Sequence, residues 1–251
     1  MSGLTAADFA DTGQWRLIVK IFRTGMSAHL ENTLHPQYPP QMLFQTDWEK
    51  DEETLLSHIE NAVYDHPRVL DDFSAKIIVF DPNTLFIPTP FMEESEGMEE
   101  ICYTTVYDVR PEDVMTDTFG DLTAVYSPAK GLKGFLNRTF PGAMVECNLM
   151  NQIRSRIRER EGARMYVTPR LSESDFILFD GEELQSASTH PVEKHSDTVY
   201  HALNILDVYG IKPEEVEVIL PSCHGGEEIK DFFSGLGTRC CLEKDKTMEN
   251  N

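Results

Sequence analysis

The sequence predicts an α/β protein of two tandem lobes, in which each lobe is a mixed sheet flanked by helices. The chain has 251 residues, and single hydrophobic cores stop growing at about 250–300 residues, so two compact lobes are expected. Hydrophobic residues make up 40% of the chain and charged residues 26%, which is ordinary usage for a folded protein. The same order of elements, three strands followed by alternating helices and strands, is predicted twice.

The first lobe begins with three consecutive strands. An apolar run predicts a strand over Trp15–Phe22, and a turn at residues 23–26 leads into a second strand that ends near Asn32. A third strand is expected over residues 41–46. Asp47 is expected to cap the helix that follows, because apolar residues recur there at helical spacing.

The remainder of the first lobe alternates between strands and helices. The continuous apolar run Ala75–Phe80 ends at Asp81 and predicts a central strand that is buried on both faces. The acidic stretch 91–115 is expected to form a solvated helix and a crossing strand. The lobe is completed by a strand over Leu122–Tyr126, a helix over residues 128–139, a strand over 143–147 and a helix over 150–160.

A second set of strands and helices follows a charged segment at residues 159–162, which ends in glycine. Strands are predicted over residues 164–168, 176–180 and 184–189, and Asp180-Gly181 is a type I′ turn signal between the last two. They are followed by a helix over 195–209, a strand over 216–220, a helix over 227–233 and a strand over 239–242. We therefore expect two domains, residues 1–160 and 161–251.

The charge of the chain excludes several classes of function. The formal net charge is −21, from 43 acidic and 22 basic residues, and such a field repels phosphate backbones and anionic membrane surfaces. The apolar runs are far shorter than the roughly 18–20 residues that span a bilayer. We therefore expect an acidic protein that binds no nucleic acid and has no membrane span.

Cysteine usage and the first residues bear on the cellular compartment. The five cysteines are an odd number without a Cys-x-x-Cys pair, which favours free thiols in a reducing cytosol. Residues 1–12 carry Asp8 and Asp11 and no apolar run, so they do not read as a secretory signal. The expectation is a cytoplasmic protein.

Three segments carry a resemblance to a known family. They are the opening strand 17–21, the strand 77–80 with residues 85–88 after it, and residues 176–188 ahead of the helix 201–209. In order, spacing and apolar character they resemble an uncharacterised bacterial family, domain of unknown function 3822, whose members look like small actin-like proteins. The resemblance implies two tandem ribonuclease-H-like lobes with actin-like ATPase architecture, and it brings no catalytic signature.

The resemblance also implies a first phosphate loop if nucleotide is bound. In the ATPases of the superfamily, an acidic residue on the opening strand and a glycine-rich hairpin hold magnesium and phosphate. Here the strand carries Lys20, and the turn has Gly25 alone. A lysine can bind phosphate as a point charge but cannot organise a metal ion. We therefore expect a degenerate loop.

Two other glycine positions are candidates for the remaining nucleotide contacts. Asp180-Gly181 is the candidate for a second phosphate loop, although hairpin geometry alone explains an Asp-Gly pair. Gly225-Gly226 follows a predicted strand, where the backbone could approach an adenosine. However, Glu227 and the glutamate after it stand at a predicted helix N-terminus and would repel a phosphate.

Other reactive side chains favour structural or surface roles. Cys223-His224 share a loop, but adjacent residues usually point apart. His201 is expected to contact Asp197 on a solvated helix face, and His195 has no ligand partner on its own face, so no metal is assigned. A solvated helix is expected for Arg154, Arg156, Arg158 and Arg160, with a docking patch for the acidic stretch 93–100 as the alternative.

Two hypotheses about function stay open. The first, which the degenerate loops favour, is a non-catalytic actin-like scaffold, a pseudo-ATPase that binds a protein partner and no cofactor. The second is a nucleotide-binding ATPase or phosphotransferase that holds ATP with magnesium through Asp180 or Asp81. The sequence leaves open whether the protein is an enzyme, which partner it binds and whether it forms an oligomer.

Overall fold

The computed structural model describes residues 11–49, 54–92, 97, 104–107, 110–157, 161–170, 172–221 and 225–243. Contacts divide the chain into two compact units, Met1–Asn151 and Gln152–Asn251. Each unit contains a five-stranded mixed sheet, and the strands follow the same spatial order in both. The predicted α/β class with tandem mixed sheets is therefore confirmed.

Unit 1 contains strands and helices that largely follow the predicted order. Its strands are β1 (Trp15–Phe22), β2 (Gly25–Asn32), β3 (Gln41–Asp47), β4 (Ala75–Phe80), β5 (Thr84–Pro88), β6 (Met115–Phe119), β7 (Leu122–Tyr126) and β8 (Met144–Cys147). Its helices are α1 (Leu55–Asp65), α2 (Thr89–Met92), α3 (Leu132–Thr139) and α4 (Asn148–Arg156), whose last residues belong to unit 2. Short 3-10 helices lie at Thr12–Gln14, Pro67–Leu70 and Pro111–Asp113.

The main sheet of unit 1 has the strand order β3-β2-β1-β4-β8. β2 pairs antiparallel with both β1 and β3. β4 is parallel to β1, and β8 is parallel to β4. Leu17, Val19 and Ile21 alternate along β1 and share a buried core with Ile59 of α1 and Phe135 of α3. Because β1, β4 and β8 run parallel, their carboxyl ends lie at one edge of the sheet.

The sequence did not predict the small antiparallel sheet of unit 1, whose strand order is β5-β7-β6. The predicted strand Leu122–Tyr126 forms β7 and pairs with β5 and β6. Thr84 stands opposite Tyr126 in this sheet, and a pairing between such distant residues leaves no local pattern. Within the stretch predicted as a solvated helix and a crossing strand, residues 93–96, 98–103 and 108–109 lie outside the described residues.

Three helix starts differ from the predicted ones by two residues or more. Asp47 does not cap α1 but is the last residue of β3, and α1 begins at Leu55. The helix predicted from residue 128 begins at Leu132, because Gly131 before it adopts a left-handed backbone with φ 80°. The helix predicted from residue 150 begins at Asn148, directly after β8.

Unit 2 repeats the topology of the main sheet of unit 1. Its elements are β9 (Ala163–Pro169), β10 (Glu173–Asp180), β11 (Glu183–Pro191), α5 (His195–Val208), a 3-10 helix (Pro213–Glu215), β12 (Val216–Pro221), α6 (Gly226–Gly235) and β13 (Arg239–Glu243). The strand order is β11-β10-β9-β12-β13, with β12 parallel to β9 and β13 parallel to β12. α5 and α6 bury Val199, Leu206 and Phe233 in one core with the sheet.

This topology identifies equivalent turns in the two sheets. The turn between β9 and β10 is the counterpart of the turn between β1 and β2, because each joins the first two strands of its meander. The contact boundary after Asn151 lies within α4, and the domain boundary predicted after residue 160 stays a prediction. Among the described residues, helices long and apolar enough to cross a bilayer are absent.

Candidate functional site

The first hairpin of unit 1 carries the predicted site residues Lys20 and Gly25. Lys20 is exposed on β1. Burial of His29 on β2 lowers the pKa of that histidine, and the positive charge of Lys20 lowers it further. Gly25 is buried beside β3. A side chain would not fit there, because an added Cβ would lie 2.7 Å from Asp47 Oδ1 and 2.8 Å from the carbonyl oxygen of Thr46. The glycine therefore permits close strand pairing, and a carboxylate stands beside it.

The carboxyl edge of the main sheet of unit 1 carries a second polar group of residues. Asp81, directly after β4, is only 8% exposed and accepts a hydrogen bond from Asn148 Nδ2 at 3.3 Å. Asp117 Oδ2 accepts from the backbone N–H of Cys147 at 3.1 Å. Burial raises the pKa of the Cys147 thiol, so it is not a reactive thiolate.

In α/β sheets, ligands usually bind at the carboxyl ends of the parallel strands, where side chains such as carboxylates contact them. Asp81 is therefore the acidic residue of unit 1 that is best placed to hold a metal ion. Groups of three or more His, Cys, Asp or Glu side chains that could hold a metal ion are absent from the described residues. Mg²⁺ can also be held by one or two carboxylates together with the phosphates of a substrate.

In unit 2, a buried aspartate that the sequence did not single out lies near the β9–β10 turn. Asp175 on β10 is 1% exposed. Its Oδ1 accepts hydrogen bonds from Arg170 Nη2 at 2.6 Å and from Thr189 Oγ1 at 2.7 Å, and its Oδ2 accepts from Gln152 Nε2 at 2.7 Å. The three donors use most of the roughly four acceptor sites of the carboxylate, so the protein's own side chains hold Asp175 in place.

Arg156 of α4 joins the same network. Its guanidinium contacts Gln152 Oε1, lies 3.3 Å from Thr168 Oγ1 and stands 4.9 Å above the ring of Tyr166. Burial lowers the pKa of Arg156, and Glu243 opposes that effect. The prediction of a solvated arginine face is therefore wrong for Arg156, whereas Arg158 and Arg160 lie outside the described residues.

The structure places Asp180-Gly181 in the second hairpin of unit 2, between β10 and β11. This turn lies at the other end of β10 from Arg170, and therefore away from the counterpart of the first phosphate loop. Gly181 has φ 60°, and its carbonyl accepts a hydrogen bond from the buried side chain of Arg164. The hairpin lies between the two predicted strands, but its two turn residues are Gly181 and Glu182, because Asp180 still pairs with Glu183. Gly181 is the one with positive φ, so the predicted type I′ turn centred on Asp180-Gly181 is wrong.

The Gly225-Gly226 corner at the start of α6 is filled by the protein itself. Gly225 has φ 85°, and an added Cβ would lie 2.6 Å from His195 Nε2. An added Cβ at Gly226 would lie 2.9 Å from the carbonyl oxygen of Pro221. The other ring nitrogen of His195, Nδ1, contacts the carboxylate of Glu228. Each glycine is thus explained by a contact within unit 2.

The remaining side chains that the sequence singled out do not lie together in one site. Asp197 accepts hydrogen bonds from the backbone N–H groups of Glu193 and Lys194, both at 3.0 Å, which lowers its pKa and caps α5. His201 stacks on His190 of β11 with ring centroids 4.5 Å apart, and burial followed by the His201 charge lowers the pKa of His190. Cys223 and His224 lie outside the described residues.

The fold is similar over nearly its whole length to a solved structure from Bacteroides thetaiotaomicron, a protein with an actin-like ATPase fold and unknown function. The TM-score is 0.82 at 18% sequence identity, and the match covers 98% of each chain. The likeness establishes an actin-like ATPase fold for this chain.

Other solved structures are more distant. The ethanolamine utilization protein EutJ from Carboxydothermus hydrogenoformans has a TM-score of 0.46 at 7% identity, with 91% of this chain and 84% of that chain covered. The PilM-PilN type IV pilus biogenesis complex has a TM-score of 0.46 at 10% identity, with coverages of 94% and 92%.

Sequence comparisons give a family but no characterised relative. The search of curated proteins gives no match. A family model described as protein of unknown function (DUF3822) matches residues 6–226. The match covers most of the chain, so the protein belongs to the DUF3822 family.

Proposed function

We propose that this protein is a nucleotide-independent, non-catalytic interaction module with an actin-like ATPase fold. One observation carries the proposal: three of the four glycines that the resemblance offered as space for a nucleotide are packed against the protein's own atoms. Gly25 lies against Asp47 and Thr46, Gly225 against His195, and Gly226 against Pro221. Glycine at a close backbone approach serves packing as well as ligand binding, and here packing accounts for each position.

The charges around these glycines support the proposal. Lys20 replaces the acidic residue that would organise magnesium. Asp47 Oδ1 stands beside the first hairpin, and Glu227 and Glu228 occupy the first turn of α6. Carboxylates at these positions repel a phosphate, and the net charge of −21 adds to that repulsion.

The second candidate is an enzyme that binds ATP with magnesium. The observation in its favour is Asp81, which is buried at the carboxyl end of β4, where α/β sheets place ligand groups. In this candidate Lys20 and Gly25 would hold phosphate, and Gly225 with Gly226 would border the adenosine. The sequence also offers Asp180 and Gly181 to this candidate, and their turn lies at the other end of β10 from Arg170.

The location of the protein and its other partners are also proposals. Cys147, Cys240 and Cys241 are free thiols, and this usage supports a cytoplasmic location. The acidic charge supports a protein partner and opposes nucleic acid.

Titration with ATP and magnesium tests the proposal. A site with a dissociation constant of about 50 µM would stabilise the fold by about 2.7 kcal/mol at about 5 mM nucleotide. We expect no shift of the melting temperature and no saturable heat in calorimetry. A saturable heat with a matching thermal shift would overturn the proposal in favour of the enzyme.

A matched pair of variants on α6 separates ligand space from packing. We expect Gly226→Val to lower the free energy of unfolding by about 1–3 kcal/mol, because the side chain collides with the Pro221 carbonyl. Gly235→Val, at the other end of α6, meets open space and should lower it by less. The contrary result would be ATP binding by the wild type that disappears in folded Gly226→Val and persists in Gly235→Val. It would show that the Gly225-Gly226 corner borders adenosine.

A further inference from the structure

The outer edge of β3 borders a groove in unit 1. β3 is the edge strand of the main sheet and pairs on one side with β2. A groove of about 410 Å³ lies between residues 41–43 of β3 and residues 65–69, which end α1 and begin the following 3-10 helix. An edge strand beside a groove is the arrangement in which proteins capture an extended segment as an added strand.

A β-bulge in β3 exposes an apolar side chain at this groove. Ala28 of β2 pairs with Phe44 and the next residue, His29, pairs with Met42, so Leu43 is the extra residue of the bulge. Leu43 and Phe44 both pack on the core, and Met42 is left 60% exposed. A bulge that re-aims a side chain in this way is typical of edges with a function.

The opposite wall of the groove is held in place by packing. His66 stacks on Phe44 with ring centroids 4.2 Å apart and an interplanar angle of 8°. Pro67 begins the following 3-10 helix, is exposed and lines the groove. The two walls therefore share a rigid contact and each presents an apolar side chain.

We propose that this groove binds an extended, basic segment of a partner protein, which adds to β3 as a sixth strand of the sheet. The proposal deepens the interaction function proposed above and rests on it. The groove is lined by Asp65 and Arg68, one charge of each sign. Asp47 ends β3 and Asp71 follows the 3-10 helix, so carboxylates flank the lining. These flanking carboxylates and the net charge of −21 favour a cationic segment.

A second copy of the chain fits the groove less well than such a segment. Two molecules that each carry a charge of −21 repel one another at every separation within the Debye length. The bulge at Leu43 also interrupts the regular edge that two sheets need for direct pairing. A short segment can follow the bulge and place an apolar side chain in the groove.

A designed peptide tests the groove directly. The probe is a fluorescently labelled seven-residue peptide that alternates lysine with valine and matches the seven residues of β3. Its controls alternate glutamate with valine, or lysine with proline, which cannot pair as a strand. We expect saturable binding of the first peptide alone, and slower amide hydrogen exchange on residues 41–47 in its presence.

Two methionines at opposite edges of the same sheet provide matched variants. Met42 is on β3, and Met144, which is 53% exposed, is on β8. Met42→Lys should weaken binding of the Lys-Val peptide by about tenfold or more, because it removes the apolar contact and repels the probe. Met144→Lys changes the net charge equally and should change the affinity by less than about twofold.

Several results would overturn the proposal. They are absence of binding at millimolar Lys-Val peptide, equal binding of the glutamate peptide, exchange protection on β11 instead of β3, and equal effects of the two methionine variants. A dimer that Met42→Lys dissociates would assign the groove to a second copy. The nucleotide titration of the wild type is independent of these results. Absence of peptide binding would therefore reject the groove proposal alone, whereas saturable ATP binding would reject the proposed nucleotide-independent function.

Discussion

At the scale of single residues, two aspartates on one strand have opposite roles. Asp175 is buried under Arg170, Thr189 and Gln152, whereas Asp180 is exposed at the hairpin turn. The sequence drew attention to Asp180, because Asp-Gly is a turn signal. The signal for Asp175 was weaker: it is a carboxylate beside an apolar run, and only the fold shows which donors reach it.

We expect Asp175→Ala to lower the free energy of unfolding by about 1–3 kcal/mol, because it removes the acceptor of three buried donors, while Glu173, 3.8 Å from Arg170 Nη2, still offsets the arginine charge. Asp180→Ala should change it by about 0.5 kcal/mol or less, since its side chain is exposed. Urea unfolding of both variants measures the difference. Equal losses of stability would contradict the structural role of the Asp175 network.

At the scale of elements, apolar runs predicted the bounds of several strands well, but they predicted poorly which strands pair with each other. β1, β4 and β7 have the predicted bounds, because each is a short run of apolar residues. The partners of β7 were not predicted, because β5 and β6 meet it through contacts between distant segments. Close approaches at glycines are likewise set by the packed structure and not by the local sequence.

The two ends of α6 provide an element-scale test of the Gly225 corner. Gly225 precedes α6 with φ 85°, and Gly237 follows it with φ 78° and open space around its Cβ position. Gly237→Ala should lower the free energy of unfolding by about 1–2 kcal/mol, the cost of a left-handed alanine. Gly225→Ala should lower it by more, because His195 must move and lose its contact with Glu228.

A double-variant cycle isolates the steric part of that cost. In a His195→Ala background, Gly225→Ala should cost no more than Gly237→Ala, because the colliding ring is gone. Thermal unfolding of the single and double variants provides the comparison. An excess cost that persists without the His195 ring would show that something else requires Gly225.

At the scale of the whole molecule, the two main sheets share one strand order without visible sequence repetition. The order of apolar runs, turns and amphipathic helices was enough to predict this duplication, because each unit buries one face of a meander under two helices. The candidate site was predicted less well. Its residues act through contacts between distant segments, such as Asp175 with Gln152, and element order does not show those contacts.

The last prediction concerns the boundary between the lobes, which the sequence places after residue 160 and the contacts place after Asn151. Trypsin cleaves after arginine, and this region contains arginines at positions 154, 156, 158 and 160. Arg156 is only 13% exposed and is anchored to Gln152 and Thr168, so α4 should resist cleavage. We expect the first internal cuts after Arg158 or Arg160.

Mass spectrometry of the early fragments decides between the two boundaries, because each cut has its own mass. Replacing Arg158 and Arg160 together with glutamine should delay cleavage, whereas Arg154→Gln should leave its rate unchanged. First cuts after Arg154 would instead place the accessible boundary inside α4. A first cut after Lys76, within Ala75–Phe80, would contradict two separate lobes, because this strand lies between β1 and β8 and is protected by the core of its sheet.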